Sequence, residues 1–382
     1  MPTRVNPKLV TELERYGAED VQKCYHCGNC SAVCNHADET FVFPRRPMRL
    51  LQMGLEKRIK TSLDPWLCYY CGQCSTQCPR GAEPGETMMS LRRWLTARYD
   101  FTGISRLFYR SWKAELAAIT VVALLTGAGL LAFGFTHGDI RVYDGANAFL
   151  PAPAIHVFDW GMAVVLGVLL SINAARMWWF TTGGNDRIRV PFRSYLKPLY
   201  LLPLHFFTQK RYALCDSKRP WKIHMLLVLS YLTMLVLIMF FLGAMQEGPA
   251  IRWSVHAFGY AASAGLLAAV VYTIYGRLRK TQVQYHHSHE SDWIFLAMLL
   301  VVTVTGVLQH VLHRSGAEVA ANFVYVAHLM LVVPMLTLEV PFSKWAHLVY
   351  RPLAMYLAAL HRDVLARQKA PVAAPESVRT AA

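Results

Sequence analysis

Beyond about residue 115 the chain is written in long apolar runs separated by short polar connectors. Six runs approach the roughly 20 residues that a helix needs to cross a bilayer. They fall at about 115–135, 158–180, 223–244, 255–275, 293–312 and 320–341. The first hundred residues read differently. Positions 47–55 have helical spacing and open on proline, which suits a first turn; 86–98 put Met88, Leu91 and Leu95 on one face. No strand pattern stands out there. The pattern predicts an all-α chain in three parts: a helical module over 1–105, a six-helix membrane bundle over 106–355 and a tail over 356–382 with a disordered end. The stretch 189–222, long, aromatic and basic, is expected to lie along the inner membrane interface.

Composition supports the membrane reading, since 54% of the 382 residues are hydrophobic, which is unusual for a soluble domain. The net charge of +15 then finds a plain explanation. With the helical module and both ends of the chain on one side, the opposite loops are near 136–157, 245–254 and 313–319. They hold Arg141, Arg252 and Arg314, so all but three of the 39 Lys and Arg lie on the side of the module. Cytoplasmic loops carry such an excess, which places the module and both termini in the cytoplasm of a multi-pass inner-membrane protein. The basic residues border the spans instead of forming one patch, so nucleic acid is not an expected partner.

Eight of the nine cysteines lie in two runs, Cys24-Tyr-His-Cys27-Gly-Asn-Cys30-Ser-Ala-Val-Cys34 and Cys68-Tyr-Tyr-Cys71-Gly-Gln-Cys74-Ser-Thr-Gln-Cys78. Each reads C-x2-C-x2-C-x3-C. Thiolates at i, i+3 and i+6 wrap one region of a [4Fe–4S] cube, and in two-cluster ferredoxins the last cysteine of each run crosses to the other cluster. On that logic one set is Cys24, Cys27, Cys30 and Cys78, and the other is Cys68, Cys71, Cys74 and Cys34. Gly28 and Gly72 let the backbone turn close to the sulfides. Pro79 follows the second run; Asn35 stands at the matching place in the first. Zinc favours paired C-x2-C units, for which two full runs would be redundant. No secretory signal pattern precedes the runs, so a disulfide framework is not expected. Cys215 stands apart and reads as a packed thiol. The module is therefore an α-helical two-cluster ferredoxin.

Haem iron in a membrane bundle is held by histidines on facing helices. Depth sorts the 15 histidines. His224 opens the third span and His347 follows the sixth, both on the cytoplasmic side, and together would hold an inner haem b. His328 lies about 12 Å into the sixth span from its outer end, at 1.5 Å per residue. It would hold an outer haem, with His310 or His256 as partner. His156 and His313 read as interfacial. His286, His287 and His289 form an inner-loop cluster, either solvated or a proton entrance near a quinone. Glu339 and Asp292 can be proton carriers or carboxylates paired with neighbours such as Lys344. His328 and His347 are 19 residues apart, which turns one about 100° from the other on a regular helix. An irregularity near Pro334–Pro341 is therefore expected. No nucleophile–base pair and no phosphate loop occurs, so no active site beyond a quinone site is expected.

These residues carry a resemblance. The cysteine runs joined by Pro47-Met-Arg-Leu-Leu-Gln-Met-Gly54 resemble the ferredoxin subunit of heterodisulfide reductases. Three further strings look like their membrane partner's haem-bearing bundle: Gln209-Lys-Arg-Tyr212 through Arg219-Pro-Trp-Lys-Ile-His224; Asp292-Trp293 with Thr305-Gly306; and His328 with Pro341-Phe-Ser-Lys-Trp-Ala-His347. The last also resembles the nitrate reductase cytochrome b subunit. Both modules in one chain resemble the C-subunit family of the quinone-interacting membrane-bound oxidoreductases (Qmo), over about residues 20–355. The resemblance implies two b haems, a quinone site and two flavin-containing iron–sulfur partner subunits. It also implies electron exchange with adenylylsulfate reductase in dissimilatory sulfur metabolism. The third span departs from the nitrate reductase pattern, having no second, deeper histidine after His224. A heterodisulfide- or nitrate-type complex and a haem-free iron–sulfur anchor are the other readings; the Cys-Cys-Gly motif of a heterodisulfide catalytic subunit is absent.

Overall fold

The computed structural model describes residues 4–137, 152–182, 191–246 and 253–369. Arg141 and Arg252, on two of the expected outer loops, lie outside the described residues. Among the described residues every regular element is a helix. Six helices are long and apolar enough to cross a membrane: Trp112–Gly134, Pro153–Thr182, Arg219–Leu242, Trp253–Arg279, Glu290–Arg314 and Glu318–Phe342. The second begins earlier than expected. Proline suits its first turn, because the missing N–H has no helical partner there in any case. Leu125, Phe240 and Val164 point outward and are more than 60% exposed within the chain. A bilayer, not water, is the solvent that such surfaces fit.

The cysteine module is a set of short helices around two loops. Its longer helices, Arg45–Gln52 and Pro84–Tyr99, fall where helical spacing placed them, and Met88, Leu91 and Leu95 are fully buried. The module does not stand alone. Its core residues Leu13, Trp66 and Trp94 belong to one apolar cluster with Tyr350, Ala354 and Met355 of the C-terminal helix. That helix, His347–Lys369, runs on through positions expected to be tail, because Leu357, Ala358, Leu360 and Val364 form a buried face. Polar contacts add to the joint. Arg362 holds Asp38 at 2.6 Å, Asn35 donates to Asp216 at 2.9 Å and Arg211 donates to the His36 carbonyl at 3.1 Å.

Within 189–222 the described part forms short helices, Phe192–Leu196 and Leu201–Thr208, then a 3-10 turn at Lys210–Leu214. It packs on the C-terminal helix, where Tyr356 donates to the Tyr195 carbonyl at 2.9 Å. The sixth span is irregular where its prolines foretold it. A π-turn occupies Met335–Glu339, followed by Val340–Phe342 and a break at Ser343. A 3-10 turn, Lys344–Ala346, then leads into the last helix. Each proline removes an N–H from the ladder, and the wider π-turn absorbs a residue.

Asp292, buried at the start of the fifth span, anchors this joint. It pairs with Lys344, with Arg277 at 3.3 Å and with Arg93 at 4.0 Å. Arg93 also donates to Glu86 at 2.9 Å and to the Tyr16 carbonyl at 2.7 Å. Of the two roles left open by the sequence, the paired carboxylate is the one seen. One buried anion thus ties together the module, two spans and the segment after the sixth. Asp292→Ala leaves Lys344 and Arg277 without their anion, while Arg93 keeps Glu86, and should cost about 3–5 kcal/mol. The thermal unfolding midpoint of the purified protein should fall accordingly; an unchanged midpoint would show that the network is dispensable.

Candidate functional site

The two cysteine runs adopt the same backbone path. Cys24 and Cys68 are extended, at φ −76° and −72°. His26 and Tyr70 are left-handed, at φ 65° and 56°. Gly28 and Gly72, at φ 91° and 84°, then start the short helices Asn29–Ala32 and Gln73–Thr76, which carry Cys30 and Cys74. Only glycine takes such an angle without penalty. Gly72 has a second reason. A Cβ there would lie 2.5 Å from Cγ1 of Val283, whereas at Gly28 the nearest atom is Arg45 Cδ at 3.7 Å.

These paths bring the thiols into two groups. A cavity of about 20 Å³ is walled by Cys24, Cys27, Cys30 and Cys78, with Arg45 and Arg80 at its rim. Cys34 and Cys74 both lie within electrostatic reach of Cys68 and Cys71. Among the described residues no three His, Cys, Asp or Glu side chains converge tightly enough to hold a single metal ion. The first thiol set rings the small cavity instead. Gln52 braces the first run, donating to the carbonyls of Val21 at 2.9 Å and Cys24 at 2.8 Å. Arg351 braces the second, donating to the Cys68 carbonyl at 3.3 Å. Backbone N–H groups of Tyr70 and Ala82 point at the sulfurs of Cys68 and Cys78, at 3.3 and 3.4 Å. Burial pushes the Cys30 and Cys34 thiols up to about 11.

Cys215 is not an isolated thiol. It is buried, lies 3.3 Å from His36 Nε2 and is hydrogen-bonded to Cys71. That bond draws the Cys71 thiol down, against the opposing effect of burial. Burial, then Arg211 and Arg351, lower His36 to about 4, so its ring is neutral at pH 7. Nothing near Cys215 in sequence pairs it with a residue 144 positions earlier.

The membrane side offers a cavity of about 890 Å³. Its walls include His224, His347, His328, His256 and His310. The rings of His224 and His347 are neighbours, with centroids 6.2 Å apart and planes 73° apart. Two metal–nitrogen bonds of about 2 Å each, plus the half-widths of two rings, give roughly that separation. One of the two outward nitrogens fits as well. His347 Nδ1 is bonded to the Lys344 carbonyl, which leaves its Nε2 available as a ligand; His224 Nδ1 is buried without a hydrogen bond, so only His347 has its second nitrogen braced. A haem iron is therefore compatible with this pair.

His328 sits in the span with Nδ1 2.9 Å from the Thr305 hydroxyl, and Gly306 gives it room, since a Cβ there would lie 3.2 Å from the ring. His310 meets His256 at 5.2 Å between ring centroids and bonds Tyr260 at 2.7 Å. Four further histidines have partners of their own. His313 pairs with Glu318, His286 with the Lys280 carbonyl and His287 with Glu83. His289 caps the fifth span by accepting from Ser291 N–H. Glu339 is fully buried beside Glu115, a neighbour sequence reasoning missed, and Ser343 donates to Glu115 at 2.8 Å. The available signal was a lone Glu at the head of the first apolar run.

Residues 20–82 match the family model of a 4Fe-4S dicluster domain. No curated protein and no solved structure matches the chain. An iron–sulfur dicluster module joined to six apolar helices is the make-up of a membrane electron-transfer subunit.

The two glycines allow a controlled test. Gly28→Ala and Gly72→Ala each introduce left-handed strain of roughly 1–2 kcal/mol, but only the second also displaces Val283. Gly72→Ala should lower the thermal midpoint further than Gly28→Ala; equal losses would mean that Val283 gives way freely.

Proposed function

We propose that the chain passes electrons between cytoplasmic redox partners and the membrane quinone pool. Its relay is two [4Fe–4S] clusters and b haems. One cluster is held by Cys24, Cys27, Cys30 and Cys78, the other by Cys34, Cys68, Cys71 and Cys74. His224 and His347 hold the inner haem. His328 holds the outer one, with His310 or His256, neighbours in the same cavity wall, as the second ligand. The observation that carries this reading is the adjacent pair His224–His347, 6.2 Å between ring centroids, in the same cavity wall as Tyr69 of the cysteine module. The clusters and haems supply one-electron chemistry when bound. The residues orient them, exclude water and fix their charge surroundings.

The excess of Lys and Arg on the module's side supports a cytoplasmic module. The resemblance to Qmo C subunits supports two flavin-containing iron–sulfur partners and adenylylsulfate reductase as the soluble donor or acceptor. The extents 1–105 and 106–355 remain useful names for the two redox units, although they share a core.

In the purified protein, a reduced-minus-oxidised spectrum should show a b-type band. Replacing His224 or His347 by Ala should remove one haem and leave the iron–sulfur signals intact. Loss of both haems, or of neither, would overturn the ligand assignment. Cys78→Ser should remove one cluster without disturbing the other; loss of the cluster bound by Cys71 would overturn the crossed pairing.

A further inference from the structure

The two thiol groups face different surroundings. Cys27 is exposed, as are Tyr25, Arg45 and Arg80 beside it, so the first group looks out of the molecule. Cys68 and Cys74 are buried, and the second group is enclosed by residues from the membrane part. Cys215 bonds Cys71, Arg351 bonds the Cys68 carbonyl and Val283 closes over Gly72.

An unbroken row of rings leaves this second group. Tyr69, next in the chain to Cys68, stacks on Tyr212 with centroids 5.2 Å apart and planes 24° apart. Tyr212 meets the edge of His224 at 6.0 Å. His224 neighbours His347 at 6.2 Å. The Arg351 guanidinium lies 4.3 Å over the Tyr69 ring, and His36 flanks that ring at 5.2 Å. Tunnelling weakens steeply with distance and far less through packed atoms than across gaps. Stacked rings fill this interval with atoms.

We propose that the order of the relay is fixed. The group Cys34, Cys68, Cys71 and Cys74 is the inner terminal, coupled to the His224–His347 pair through Tyr69 and Tyr212. The group Cys24, Cys27, Cys30 and Cys78 is the outer terminal that meets the soluble partner. Cys215 is a positioning residue of the inner terminal. In its Nε2–H tautomer His36 donates to Cys215, and Cys215 donates to the Cys71 sulfur. Hydrogen bonds to ligand sulfur raise a cluster's potential by stabilising its more negative reduced state. In the inward direction Tyr69 and Tyr212 conduct one electron. What the second thiol group holds is oxidised by one, what the histidine pair holds is reduced by one, and no bond or proton changes place.

This order rests on the cluster and haem assignments above, and the experiment separates the two. Full-length protein is purified anaerobically, and its cluster signals are assigned by electron paramagnetic resonance of Cys27→Ser and Cys71→Ser. If neither variant loses a signal, or the parent lacks a b-type band, the underlying reading fails. With signals assigned, Cys215→Ala should alter only the signal that Cys71→Ser removes and shift its midpoint to lower potential. Haem reduction after flash photoreduction of the clusters should slow at least tenfold in Tyr212→Leu. It should stay within twofold of the parent in Tyr212→Phe, which keeps the ring. A shift of the Cys27-dependent signal in Cys215→Ala, or undiminished haem reduction in Tyr212→Leu, overturns the order.

Discussion

Trp66 and Tyr99 of the cysteine module meet Tyr350 of the last helix at ring centroid distances of 5.1 and 5.3 Å. Everything proposed for this molecule depends on that joint. A thiolate set and a histidine pair work together only at a fixed separation, and loosely tethered domains would not hold one. Close packing in an apolar core resists such drift, because interiors are dense and deform little. Tyr350 lies three residues after His347, so the helix that presents the histidine also carries the core residue. The position of the pair and the position of the module are set by one rigid element.

The joint has a polar counterpart. Asp292, Lys344, Arg277 and Arg93 join the module to the bundle at the Lys344 turn. The Lys344 carbonyl in turn bonds His347 Nδ1 and fixes the ring's tautomer and direction. A hydrogen bond on the outward nitrogen orients an iron-binding imidazole in this way. The π-turn at Met335–Glu339 and the break at Ser343 let His328 and His347 share one cavity wall despite their 19-residue spacing. Backbone irregularity here serves side-chain placement.

Local patterns were legible in the sequence. The six spans, the two cysteine runs with their left-handed glycines and the irregularity between Pro334 and Pro341 all follow from residue spacing or from backbone chemistry. Contacts between distant positions were not. The C-terminal helix covers the module because Leu357, Leu360 and Val364 share a face, and its partner surface lies some 290 residues earlier. Cys215 touches Cys71, and Glu115 touches Glu339, through folding alone. Depth brought out His310 or His256 as a partner for His328, and those two rings lie 5.2 Å apart, with His310 bonded to Tyr260. Depth along a helix says nothing about which neighbour a side chain faces.

The central claim is that one chain carries two iron–sulfur cubes wired to haem b. Chemical analysis of the anaerobically purified protein tests it most directly. The account predicts non-haem iron and acid-labile sulfide in equal amounts, enough for two cubes per chain, together with protohaem extracted from the same sample. Zinc without sulfide in the cysteine module, or a full complement of clusters with no haem, would contradict it.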